Sequence, residues 1–160
     1  MPALSSERSV VSEAAAVSSM ILEIARLQMQ EQLASSDSID TKAVGVLGFT
    51  GIALGALVAA SSVLGKYWWI PTIGLGASAL FSAVAVRNRE FDQGPELEAF
   101  YSTWGGSSLA EANAAMLSEL LRAGGRNRTV LVWKGRFFLW GVMALLLTII
   151  GSGVLFALVR

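Results

Sequence analysis

The chain contains no cysteine and no histidine. Without thiols there is no disulfide framework and no cysteine nucleophile. Without imidazole the usual Ser-His and Cys-His pairs, most zinc and haem sites and the common sensor of pH near neutrality drop out as well. Charge is scarce: 15% of the 160 residues are Asp, Glu, Lys or Arg and 54% are hydrophobic, against about a quarter charged in soluble domains. The polar residues that remain form no Ser-Lys arrangement, no glycine-rich loop ending in Lys-Ser or Lys-Thr, and no acids at metal-ligand spacing. The reading is of a protein that is not an enzyme and calls for no metal and no cofactor. The opening MPALSSERSVVSEAAA has no apolar core behind a basic start, so the first membrane segment is expected to direct insertion itself.

What is present is long apolar runs. Three charge-poor blocks cover 43–65, 67–86 and 137–159, and Lys66 is the single charge between Ala43 and Val86. About 20 apolar residues cross roughly 30 Å of hydrocarbon as a helix. The expected fold class is therefore an all-α membrane protein with three transmembrane helices plus cytoplasmic amphipathic helices. The chain divides into an N-terminal helical segment over 1–42, a transmembrane hairpin over 43–86, a second cytoplasmic helical segment over 87–136 and a third span over 137–160. With the N-terminus inside, Arg8, Arg26, Lys42, Arg87, Arg89, Arg122, Arg126, Arg128, Lys134 and Arg136 all lie inside, leaving Lys66 and Arg160 outside. That asymmetry places a multi-pass protein in the cell inner membrane, N-terminus cytoplasmic and C-terminus outside.

Along the chain, Val10, Ala14, Val17, Ile21 and Ile24 step by four and three, a heptad seam within a helix over 7–34. It serves packing within the chain or self-association. The polar stretch 35–42 either breaks that helix or bends it into the membrane, with Asp40 as a cap or first-turn acid of the next helix and Lys42 at the boundary. Gly45, Gly48, Gly51 and Gly55 follow, and Gly51 to Gly55 is a GxxxG. Small residues at this spacing let helices approach closely, so these four are read as a packing face against the other spans, a subunit interface or a pore lining. Tyr67, Trp68 and Trp69 suit the far interface, and Pro71 the first turn of the next helix. Gly94-Pro95-Glu96 starts a short helix that Gly105-Gly106 ends. Ser108 and Glu111 form a capping box, and Gly124-Gly125 reads as the stop of the helix after it.

The stretch from Arg122 to Arg136 holds five basic residues and no acid. It is either an inward-side charge cluster facing anionic headgroups or a phosphate-binding surface, where Arg126, Arg128 and Arg136 supply bidentate donors and Asn127 or Trp133 contacts a base. No Asp, Glu, Lys or Arg lies mid-span, which argues against a proton-coupled transporter.

Two motifs bring a resemblance. Asp40-Thr41-Lys42-Ala43 steps straight into a glycine-rich membrane helix, and Asn127, Thr129 to Trp133, Lys134, Phe137 and Phe138 precede the last span. In these the chain resembles the transmembrane effectors of the pyrimidine-cyclic-nucleotide antiphage systems (Pycsar). The resemblance implies a cytoplasmic ligand, a cyclic nucleotide or oligonucleotide made by a neighbouring synthase, and loss of membrane integrity on binding. Asp40, Lys42, Asn127 and Lys134 match its pattern. Arg126, Arg128 and Arg136 join them as ligand candidates on charge alone. The resulting expectation is a homo-oligomer in the lipid bilayer, a membrane effector or ion channel gated by a nucleotide signal. The alternative is a membrane anchor or scaffold recruiting a partner through its amphipathic helices.

Overall fold

The computed structural model describes the backbone of residues 3–59, 61–87, 91, 92 and 94–159, with side chains apart from those of 3–15, 63, 64, 97 and 159. Val10 and Ala14 of the seam, and Arg8, Arg89 and Arg160 among the orienting charges, lie outside the described side chains.

Every regular element among the described residues is helical. In order they are α1 (Ala3–Ala59), α2 (Ser61–Leu64) running into a 3-10 turn at Gly65–Tyr67, α3 (Trp69–Val86), α4 (Leu97–Trp104) and α5 (Leu109–Val159). Three helices are long and apolar enough to cross a membrane, within Ala16–Ala59, Gly65–Val86 and Leu109–Leu158 at mean hydropathies of 1.8, 1.6 and 2.3. Ile52, Leu147 and Leu158 are 75%, 64% and 79% exposed. Apolar surface of that extent is stable against lipid or protein, not water.

Of the two readings of 35–42 the structure takes the continuation, and one helix end differs from that read in the sequence. α1 continues through 35–42 for 57 residues in all. The stretch holds no proline, and Thr41 Oγ1 donates to the Asp37 carbonyl at 2.8 Å, a bond that suits a helix interior. Asp40 is accordingly not a cap. α5 likewise runs through Gly124-Gly125 as one helix of 51 residues. A glycine inside a helix costs about 1 kcal/mol, which packing overrides.

The remaining punctuation follows local chemistry. Gly65 and Gly94 have φ of 55° and 88°, where a Cβ is strained. Pro71 sits in the first turn of α3, where its missing N–H costs nothing. At the start of α5, Ser108 N–H and Oγ donate to Glu111 Oε2 at 3.0 and 2.8 Å, and Glu111 N–H donates back to Ser108 Oγ at 3.3 Å. These bonds, from the hydroxyl first and the amide second, hold the Glu111 carboxyl below its ordinary value.

The chain divides into two compact units, one of 1–34 with 90–129 and one of 35–89 with 130–160. In the first, the face of α1 carrying Met29, 8% exposed, meets α5 around Gly124, whose carbonyl accepts from Gln32 Nε2. The apolar seam on the same helix is not covered: Val17, Met20, Ile21, Ile24 and Leu27 are 42–63% exposed. In the second, α3 packs on α5 through small residues. Ser78 Oγ donates to the Gly141 carbonyl at 2.8 Å, and Leu75, Ser78, Ser82 and Ala85 are buried. A Cβ on Gly74 would run into Thr148, and one on Gly141 would lie 2.7 Å from Ser82 Oγ. Phe137 packs on Phe81 at a ring separation of 6.4 Å.

Candidate functional site

The candidate residues fall into three groups, set by where α1 and α5 carry them. In the second unit, Ser36 and Asp40 stand four apart on α1 and so share a face. Lys134 of α5 reaches both. Its Nζ donates to Asp40 Oδ1 and Oδ2 at 2.9 and 2.8 Å and to Ser36 Oγ at 3.1 Å. The Lys134 side chain is 5% exposed and that of Asp40 26%. A buried ammonium requires such partners, because desolvation opposes the charged form and hydrogen bonds to a carboxylate offset it. Asp40 and Lys134, brought together from 94 residues apart, make a tie between two helices; their polar atoms are spent on each other.

The second group belongs to the first unit and centres on Asp92, which the sequence did not single out. Asp92 N–H donates to Asn127 Oδ1 at 3.0 Å, and Asn127 Nδ2 donates to the Asp92 carbonyl at 2.8 Å. The Asn127 amide thereby satisfies both backbone groups of one residue and is itself 1% exposed. Asp92 Oδ1 accepts from Gly94 N–H at 3.1 Å, which explains why the turn before α4 carries a glycine in the left-handed region. Asp92 Oδ2 accepts from Arg126 Nη1 at 3.0 Å. That ion pair is largely exposed, 60% and 33% at its two side chains, and such pairs contribute about 0–1 kcal/mol. Asn127 therefore pins the chain entering α4 onto α5. Trp133, the other residue considered for base contact, stacks on Phe137 with centroids 5.6 Å apart.

The third group is what these ties leave over. Lys42, Arg128 and Arg136 are exposed and make no ion pair among the described residues. Lys42 and Arg136 belong to the second unit and Arg128 to the first. Arg128 borders a cleft of about 210 Å³ between α1 and α5, lined also by Gln28, Met29, Gln32, Leu120 and Gly124. Gln28 and Gln32 carry no charge and repeat at helical spacing, so a search by charge and motif passes over them. Among the described residues no three acids converge as a metal site.

The glycine stripe is placed differently from one of its readings. A Cβ on Gly45, Gly48, Gly51 or Gly55 would meet nothing within 4 Å, so these glycines do not pack against the other spans of the same chain. The close helix approach is made instead at Gly74 and Gly141. The opposite face of α1, with Ala43 and Thr50 at 0% exposure, is the one turned inward.

No curated protein matches the chain, and no solved structure does. The family model of the Pycsar effector protein domain matches residues 24–159, from the middle of the first long helix to the end of the last. The match spans both units, and the three helices fit to cross a bilayer lie within or overlap it. The chain belongs to the Pycsar effectors, and it is a membrane effector of antiphage defence.

Proposed function

We propose that the protein is an oligomeric pore of the inner membrane, opened from the cytoplasmic side by a nucleotide and acting without catalysis. The N-terminus and both polar segments face the cytoplasm in this reading, as the Lys and Arg distribution favours. The observation that carries the proposal is the open glycine face of α1, with nothing within 4 Å of Gly45, Gly48, Gly51 or Gly55. Three spans cannot enclose water alone, so copies must assemble, and small residues are the ones that let membrane helices approach closely. Ser78 and Ser82, the weakly polar residues of α3, are buried, and Ser78 donates to the Gly141 carbonyl of α5, so that face does not offer itself as a lining. The exposed seam at Val17, Ile21 and Ile24 offers copies a second, coiled-coil-like contact.

The test is conductance across planar bilayers by the purified oligomer, with and without cyclic UMP. Current that rises with nucleotide supports the reading; silence in a verified oligomer under both conditions overturns it. The scaffold alternative is separated by cross-linking. The chain has no cysteine, so Ile24→Cys or Gly48→Cys introduces a unique thiol. Disulfide-linked dimers in inner-membrane vesicles favour the pore, and their absence from both variants favours the scaffold.

A further inference from the structure

The cleft bordered by Arg128 leaves polar chemistry uncommitted in the first unit. Gln32 donates to the Gly124 carbonyl over a long 3.4 Å, and its Oε1 is buried with no hydrogen-bond partner among the described residues. Buried acceptors are nearly always satisfied, so one that is not asks for a donor. A primary amide presents a donor and an acceptor side by side in one plane. That is the complement of the edge of a nucleobase, and Gln32 is among the residues that line the cleft. Gln28, four residues away on the same helix face, brings a second amide to the lining. The walls beside these amides are apolar: Met29, 8% exposed, from α1 and Leu120 from α5. A flat ring fits between such walls, and a thioether favours an aromatic partner. At the rim stands Arg128, a guanidinium without an ion pair among the described residues, in a stretch from Arg122 to Arg136 that holds no acid.

We infer that this cleft is the nucleotide site: the Gln32 amide reads the base edge, Met29 and Leu120 cover the ring, and Arg128 holds the phosphate. The inference rests on the nucleotide-gated reading above and gives it a location and a ligand size. The cavity of about 210 Å³ lies below the range of about 300–1,000 Å³ usual for drug-sized ligands. It takes the base of a single nucleotide with the phosphate outside, and it does not enclose an oligonucleotide. Glycine at 124 and 125 keeps it open: a Cβ on Gly124 would come no nearer than 4.0 Å to Gln32 Nε2, and one on Gly125 would meet nothing. Asn127, which holds Asp92, is next to Arg128 on α5, so the ligand would bind beside a fixed segment.

The experiment is equilibrium binding of labelled cyclic UMP to the full chain in nanodiscs, with cyclic di-AMP as the larger probe. Gln32→Leu and Arg128→Ala are each expected to weaken cyclic UMP binding by about tenfold or more, the scale of one lost buried or charge-assisted hydrogen bond. Gly125→Leu fills the cleft from an open position and removes a helix-interior glycine. It is expected to abolish binding with an unchanged or raised melting temperature, which separates loss of the site from loss of the fold. Ser118→Ala, on an exposed part of α5 with only a local hydrogen bond, is expected to bind as the unaltered chain does. Cyclic UMP binding and gating that persist in all three cleft variants overturn the location and leave the nucleotide-gated reading standing. Cyclic di-AMP binding as tight as that of cyclic UMP overturns the size argument. An unaltered chain that neither binds nor conducts with either probe overturns the gated reading and this inference together.

Discussion

Replacing Asp40 with Asn removes one charge and almost nothing else, which makes it the sharpest probe of the tie between α1 and α5. Asn keeps the shape and one acceptor oxygen, and Ser36 Oγ stays 3.1 Å from Lys134 Nζ. What disappears is the attraction between a carboxylate and an ammonium with both oxygens within 2.9 Å. Unit charges about 4 Å apart interact by about 4 kcal/mol at the effective dielectric near a protein surface, and removing one partner of a buried pair costs about 3–5 kcal/mol. Two effects pull the value down. The Asp40 side chain is 26% exposed, so water screens that end, and a lysine stem can carry its ammonium toward the headgroups. At 5% exposure the Lys134 side chain has little freedom to do so, and the expected loss is about 3 kcal/mol. For a chain of this size that corresponds to a fall in Tm of roughly 6–12 °C. Tryptophan fluorescence of the detergent-solubilised protein reads it directly, because Trp133 adjoins Lys134 and stacks on Phe137. The double replacement Asp40→Leu with Lys134→Met removes both charges together and is expected to lie closer to the unaltered chain than Asp40→Asn does. A Tm shift for Asp40→Asn of about 1 °C or less, or a double variant whose loss equals the sum of the singles, would refute the reasoning.

Asn127→Leu leaves the N–H and C=O of Asp92 without their partner and is expected to cost about 2–3 kcal/mol, seen as faster hydrogen exchange at the Asp92 amide. Gly141→Val forces a branched side chain onto Ser82 and is expected to lower Tm by the equivalent of about 1–3 kcal/mol. A Cβ at position 48 meets nothing within 4 Å, so Gly48→Val is expected to leave the melting of the solubilised monomer unchanged while reducing cross-linked oligomer in vesicles. Ser108→Ala removes one half of the capping box and is expected to cost about 1 kcal/mol, with increased exchange confined to the first turn of α5.

The spans were legible because their signal is compositional: a stretch such as 137–159 without a charge has few places to go but lipid. Turns that depend on one residue's chemistry were legible too, as at Pro71, Gly94-Pro95 and the Ser108–Glu111 box. The helix ends assigned to polar and glycine signals were not. Ser35 to Lys42 reads as either a break or a bend, and Gly124-Gly125 as a stop, because local propensity disfavours helix there, and in both places contacts with distant residues override it. Ser36 and Asp40 are bound by Lys134, and the Gly124 carbonyl by Gln32. No spacing rule encodes partners 92 to 98 residues away. The glycine stripe failed in one of its readings for a related reason. GxxxG states that something can approach closely, not what, and Gly74 and Gly141, which lie in no such motif, make the contact within the chain.

The same logic changes what the family pattern means at individual residues. Asp40, Asn127 and Lys134 were candidates for the ligand because they match a motif and carry polar chemistry. Each is committed: Lys134 and Asp40 to one another, Asn127 to both backbone groups of Asp92. A ligand could recruit them only by breaking bonds whose loss costs the fold several kcal/mol. Under the inference above, binding energy is supplied by groups the fold does not use, and among the described residues these include the Gln32 amide with its unpartnered oxygen and Arg128 without a carboxylate. The motif residues instead hold α1 against α5 in one unit, through Asp40 and Lys134, and the turn before α4 against α5 in the other, through Asn127.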